Sequence, residues 1–150
     1  MFVTGKWAMT DQRPCVILVD DDTLLRRSTQ LVLQGRGFDV WAYAAAEMVP
    51  LDGQIAQGAC LVADYCLEGW NGIGLLAALR GTGWQGPAIL TTGFSTPELR
   101  RRAEATGFAA FLEKPIPETV LVRTIALLTR QPLHHAAYQA RGSALRCPRP

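Results

Sequence analysis

Hydrophobic and polar positions alternate in blocks along this chain. Residues 15–19, CVILV, are a short unbroken apolar run, the pattern of a strand buried on both faces. In the segment 23–37, Leu24 and Leu31 fall seven apart, as do Leu25 and Val32. That is helical spacing, and Gly35 and Gly37 are stop signals. Residues 38–43, FDVWAY, alternate as a strand. Residues 44–58 read as a helix that Pro50 and Gly53 shorten, kink or fray. ACLVA (59–63) is a third buried strand and ends at Asp64. Residues 71–83 are helical, and PAILTT (87–92) is a fourth strand. In the helix predicted over 96–107, Thr96 is the N-cap, Pro97 the first helical residue and Gly107 the residue past the end. FAAFLE (108–113) is a fifth strand, and 117–130 a last amphipathic helix.

Strand and helix thus alternate five times. Short apolar strands separated by helices require crossover connections. The predicted fold is α/β: a five-stranded parallel sheet with helices on both faces, doubly wound and flavodoxin-like. The length of 150 residues suits one domain with a real core, placed at 14–130. Residues 1–13 read as a flexible leader and 131–150 as a flexible basic tail. No DNA-binding segment is read after residue 130, so the expected output is through protein contacts or by passing a bound group on to another protein.

Composition changes this picture little. A formal net charge of +2 points to neither nucleic acid nor membrane. No apolar stretch approaches the ~18–20 residues of a membrane span, and the start lacks a signal-peptide core. Cys15, Cys60, Cys66 and Cys147 show no metal-ligand spacing and read as free thiols of a cytoplasmic protein. His134 and His135, in the tail, read as solvated.

The candidate chemistry comes from where the polar residues fall. In an open parallel sheet the binding crevice lies beyond the carboxyl ends of the strands. Asp20, Asp21 and Asp22 end the first strand, Asp64 the third, Thr92 the fourth, and Lys114 the fifth. The topology brings them to one edge. Asp22 also suits a helix N-cap, with Thr23 beginning the helix. Clustered carboxylates repel unless something positive compensates. Mg²⁺ takes oxygen ligands and prefers one or two carboxylates plus waters and a phosphate. The acidic cluster therefore reads as a Mg²⁺ site that Asp64 shares. A carboxylate beside Mg²⁺ and a lysine can act as a nucleophile toward a phosphoryl group.

These motifs resemble a two-component response regulator receiver domain. VILVDDD resembles the family's first strand with its acidic pair, and LVADYCLEGWNGIGLL its phosphoacceptor strand, loop and helix. ILTTG resembles its switch strand, and FLEKPI its aromatic–x–x–Lys-Pro ending. The resemblance covers about residues 14–130. It implies Asp64 as phosphoacceptor and Mg²⁺ held by Asp21 directly, by Asp20 through water, by Asp64 and by the backbone carbonyl of Cys66. It makes Thr92 the switch hydroxyl, Lys114 the phosphate-pairing lysine, Phe111 the aromatic switch position and Lys114–Pro115 a candidate cis bond. The implied partners are a sensor histidine kinase or phosphotransfer protein and a downstream protein target. Neither direct nucleic-acid contact nor membrane is implied. Signalling would run through the face made by the fourth predicted helix (96–107), fifth strand (108–113) and fifth helix (117–130). Members often dimerise when activated.

Glu68 departs from the family, standing where many members have proline. It keeps open a receiver-like interaction module that works without phosphorylation. A Mg²⁺-dependent phosphohydrolase of the haloacid dehalogenase type is a third reading, since Asp20 and Asp22 match its D-x-D opening. Its hydroxyl residue falls one place too early, at Thr23, and no aspartate follows Asp64. The run Arg100–Arg102 reads as a wet helix face near the partner surface. Trp70 and Trp84 read as partly packed loop residues.

Overall fold

The computed structural model describes residues 13–51, 60–67 and 69–130. Five strands form one sheet: β1 (Cys15–Val19), β2 (Asp39–Tyr43), β3 (Cys60–Asp64), β4 (Ala88–Thr92) and β5 (Ala110–Glu113). Their order is β2-β1-β3-β4-β5, and every pairing is parallel. Four helices connect or follow them: α1 (Thr23–Gly35), α2 (Gly72–Gly81), α3 (Pro97–Thr106) and α4 (Glu118–Arg130). The strand order reverses direction between β1 and β3, the switch point at which such sheets bind ligands.

The apolar runs form strands because each is buried on both faces. Along β1, Ile17 and Val19 enter a core with Leu61, Leu75, Leu76, Leu79, Leu90 and Leu99. The intervening Val16 and Leu18 enter a second core with Leu33, Ile89, Leu121 and Ile125. The first core is covered by α2 and α3, the second by α1 and α4. Burying one such side chain contributes ~1.5–3 kcal/mol, so these paired strand faces dominate the stability.

The predicted end signals are in place. Asp22 caps α1, its carboxylate accepting from the Leu25 N–H at 3.0 Å. Thr96 caps α3, accepting from the Leu99 N–H at 3.1 Å, and Pro97 follows at the first helical position. Gly107 ends α3 at φ 112°, a left-handed conformation that disfavours any side chain.

Three expectations need amendment. The helix expected over 44–58 is, in its described part, a single 3-10 turn, Ala46–Met48. Val49, immediately before Pro50, is extended at φ −73°, ψ 119°, as the proline ring requires. The rest of that segment, most of the leader, the tail and Glu68 lie outside the described residues. The thiols of Cys60 and Cys66 are free. Cys15, by contrast, is disulfide-bonded. Trp84 is a core residue, only 3% exposed. Arg80 lies over its ring, 5.1 Å from the centroid, and donates to the carbonyls of Trp84 (3.0 Å) and Gly86 (2.8 Å). Trp70 is 40% exposed. Among the described residues, no helix is long and apolar enough to cross a membrane.

Candidate phosphoacceptor site

The carboxyl ends of β1, β3, β4 and β5 converge as the strand pattern requires. Asp20 follows β1 and Asp64 is the last residue of β3; both are buried, at 6% exposure each. Asp21, beside them, is exposed. One carboxylate oxygen from each of Asp20, Asp21 and Asp64 lies within 4.8 Å of the other two. Lys114, just past β5, is the cation among them. Its Nζ donates to Asp64 Oδ2 at 2.9 Å and to Asp20 Oδ2 at 3.4 Å. Its backbone N–H donates to the Thr92 carbonyl at 2.8 Å, which fixes the lysine to the end of β4. The Lys114–Pro115 bond is cis.

The two buried carboxylates are each held at the other oxygen by backbone. Asp20 Oδ1 accepts from the Asp22 N–H at 3.0 Å, and Asp64 Oδ1 from the Cys66 N–H at 3.3 Å. The site is short of positive charge: one lysine faces three carboxylates. Burial pushes the Asp20 carboxyl above its ordinary range and the charge of Asp64 adds to this; the Asp22 N–H and Lys114 oppose it. Burial alone would lower the Lys114 ammonium. The hydrogen bond it donates to Asp64 and the charges of Asp20 and Asp64 outweigh it and hold Lys114 above its usual value.

Thr92 is 1% exposed at the end of β4. Its hydroxyl donates to the Phe94 carbonyl at 3.2 Å and accepts from the Phe94 N–H at 3.1 Å. The hydroxyl is therefore committed to the loop that leads into α3. Phe94 itself is 84% exposed. Phe111, half-buried on β5, packs against the core shared by α2 and α3.

Several neighbours of the site escape the sequence reading. Arg26 of α1 donates to the Asp20 carbonyl at 2.8 Å, fixing the β1 end from behind. Gly72 opens α2 against the acceptor; a Cβ there would stand 2.6 Å from the Asp64 carbonyl oxygen. Gly72 is legible only as a helix start, because close approach leaves no pattern in one sequence. The run Arg100–Arg102 is exposed as expected, yet not simply wet. Arg100 lies over the Phe111 ring, 4.5 Å from its centroid, and Arg102 Nη1 reaches the Tyr65 hydroxyl at 3.5 Å.

The family model described as a response regulator receiver domain matches residues 16–126. The chain belongs to the response regulator receiver family. That membership decides between the two phosphoryl-transfer families weighed above. Receiver domains are signalling phosphoacceptors that work with histidine kinases and downstream effectors. Among curated proteins, this receiver is 29% identical to the transcriptional regulatory protein FixJ of Azorhizobium caulinodans, over 84% of this chain and 58% of that one. It is 32% identical to the C4-dicarboxylate transport transcriptional regulatory protein DctR of Rhodobacter capsulatus, over 71% of this chain and 55% of the other. The chain thus matches little more than half the length of these relatives. Among solved structures, Vibrio cholerae CheY4 superposes with a TM-score of 0.72 at 23% identity, covering 77% of this chain and 98% of the other. The signal receiver domain of a LuxO repressor protein from Vibrio parahaemolyticus gives 0.73 at 22% identity, covering 79% and 92%. Both share the fold.

Proposed function

We propose that this receiver accepts a phosphoryl group on Asp64 from a histidine kinase or phosphotransfer protein and signals through its α3–β5–α4 face to a downstream protein. The observation that carries the reading is the 2.9 Å contact of Lys114 Nζ with Asp64 Oδ2 inside a cluster of three carboxylates. An Asp64 carboxylate oxygen attacks the phosphorus of the donor phosphohistidine. The new O–P bond forms as the P–N bond breaks, and the electron pair of that bond returns to the imidazole. Lys114 stays within reach to pair with a phosphoryl oxygen. The Thr92 hydroxyl can bind another only by giving up Phe94.

The donor set suits Mg²⁺: hard oxygens, a net negative cluster and one exposed carboxylate open to solvent. Asp20, Asp21, Asp64 and the Cys66 carbonyl are the proposed protein ligands. When bound, Mg²⁺ would neutralise charge on the phosphoryl oxygens. The phosphoryl group would draw Thr92 and the Phe94 loop toward Asp64, with Phe111 as the aromatic that responds. This is a population shift driven by new charge-assisted bonds. The activated face would also be the place for a homodimer contact.

The test is intact mass after incubation with acetyl phosphate. The expected result is one phosphoryl adduct in the wild type that requires Mg²⁺ and is missing in Asp64→Asn. Stoichiometric uptake by Asp64→Asn would overturn the assignment.

A further inference from the structure

The acceptor site leaves the arginines of α3 without a task, and Arg100 is placed to have one. Its guanidinium sits over the Phe111 ring, 4.5 Å from the centroid. Among the described residues the ion pairs are those of Lys114, and none of them involves Arg100. An exposed guanidinium on a half-buried ring gains from the ring's negative face and shields it from water.

The ring it holds belongs to an edge strand. Phe111 pairs with Leu90 of β4, two residues before Thr92. The helix that carries Arg100 is the one the Thr92 loop enters. Thr92 grips Phe94 by two hydrogen bonds, and Thr96 caps α3 directly after. Arg100 N–H donates to the Thr96 carbonyl at 3.0 Å, so Arg100 stands one turn into α3, next to the loop. Any step that takes Thr92 from Phe94 thus loosens the anchor of the helix end that positions Arg100.

We propose that Arg100 is a positioning residue: by capping the Phe111 ring it holds the arrangement in which Thr92 grips Phe94, and so opposes the response to a phosphoryl group on Asp64. This rests on the Asp64 reading above. Removing Arg100 destabilises only the resting arrangement, so the active one becomes easier to reach.

The test uses beryllofluoride with Mg²⁺ as the phosphoryl mimic and follows its affinity in the wild type, Arg100→Ala, Arg100→Lys, Phe111→Leu and the double variant Arg100→Ala/Phe111→Leu. Arg100 is exposed, so its variants should fold. Arg100→Ala is expected to bind about two- to fivefold more tightly, the equilibrium equivalent of the ~0.5–1 kcal/mol of an exposed cation–π contact. Arg100→Lys should stay nearer the wild type. In the Phe111→Leu background the alanine substitution should change nothing. An unchanged affinity, or the same gain with and without the Phe111 ring, overturns the proposal. The Phe111 ring resonances of the phosphate-free protein give a readout independent of the acceptor chemistry. They should move in Arg100→Ala; if they stay still, the contact is absent from solution. Were the wild type to bind no beryllofluoride while those resonances moved, the contact would stand, but the Asp64 reading and the positioning role that rests on it would fall.

Discussion

Asp20 is buried and carries more negative charge than its surroundings accommodate. Its carboxyl is raised above the ordinary 3.8, burial being the largest cause. The consequence for stability has a definite sign. Below pH 3.8 the group is protonated both folded and unfolded and costs nothing. As pH rises the unfolded chain ionises first, so the penalty on the folded state builds up through this window and is present in full once the folded carboxylate has formed. Asp20→Asn should therefore stabilise the metal-free protein at neutral pH, by about 2–6 °C in melting temperature for ~1 kcal/mol, and the gain should vanish in acid. Lys114 has the opposite logic. Its pKa is raised above 10.5, so its stabilisation is complete below that value and is lost as pH rises through the folded value. Lys114→Met leaves Asp20 and Asp64 without their cation. It should cost ~1–3 kcal/mol at neutral pH, and Mg²⁺ should recover part of this. Denaturant melts of both variants, with and without Mg²⁺, across pH, check these signs.

The elements deliver these residues to one edge, and most of them are legible in the chain. The apolar runs that become β1, β3 and β4 announce burial on both faces, and the helix signals Asp22, Thr96, Pro97 and Gly107 all act where they stand. Polar residues at strand ends mark the site because parallel strands share a carboxyl edge. Contacts that need three dimensions were not legible. The approach of Gly72 to the Asp64 carbonyl, the anchoring of the β1 end by Arg26 and the ring contact of Arg100 have no spacing to reveal them. The 44–58 segment misled because its alanines favour helix, while the proline constrains its neighbour more strongly. Two substitutions test this scale by chemical denaturation. Thr96→Ala removes the α3 cap and should cost ~1 kcal/mol. Gly72→Ala puts a methyl group against the Asp64 carbonyl and the Leu90 side chain. It should cost ~1–3 kcal/mol and slow phosphorylation, since the helix must back away from the strand that holds the acceptor.

At the scale of the molecule, the described residues form two cores on either side of one sheet and a charged edge where the strands end. The cores fix the strands, so a change at the edge is carried most readily by the loops and the helix ends. On the proposed reading Mg²⁺ would bind the folded site and not the unfolded chain, so at a hundredfold excess over Kd it should stabilise by ~2.7 kcal/mol. Titration of Asp21→Asn should show most of that gain lost. The central claim is that Asp64 is the residue that takes the phosphoryl group, with Asp20 and Asp21 beside it holding the metal. The most direct measurement is to trap the acyl phosphate formed from acetyl phosphate by borohydride reduction, which converts the modified aspartate to homoserine, and to locate it by peptide mass. The account predicts homoserine at position 64 alone. Homoserine at position 20 or 21, or phosphate retained on His134 or His135, would contradict it.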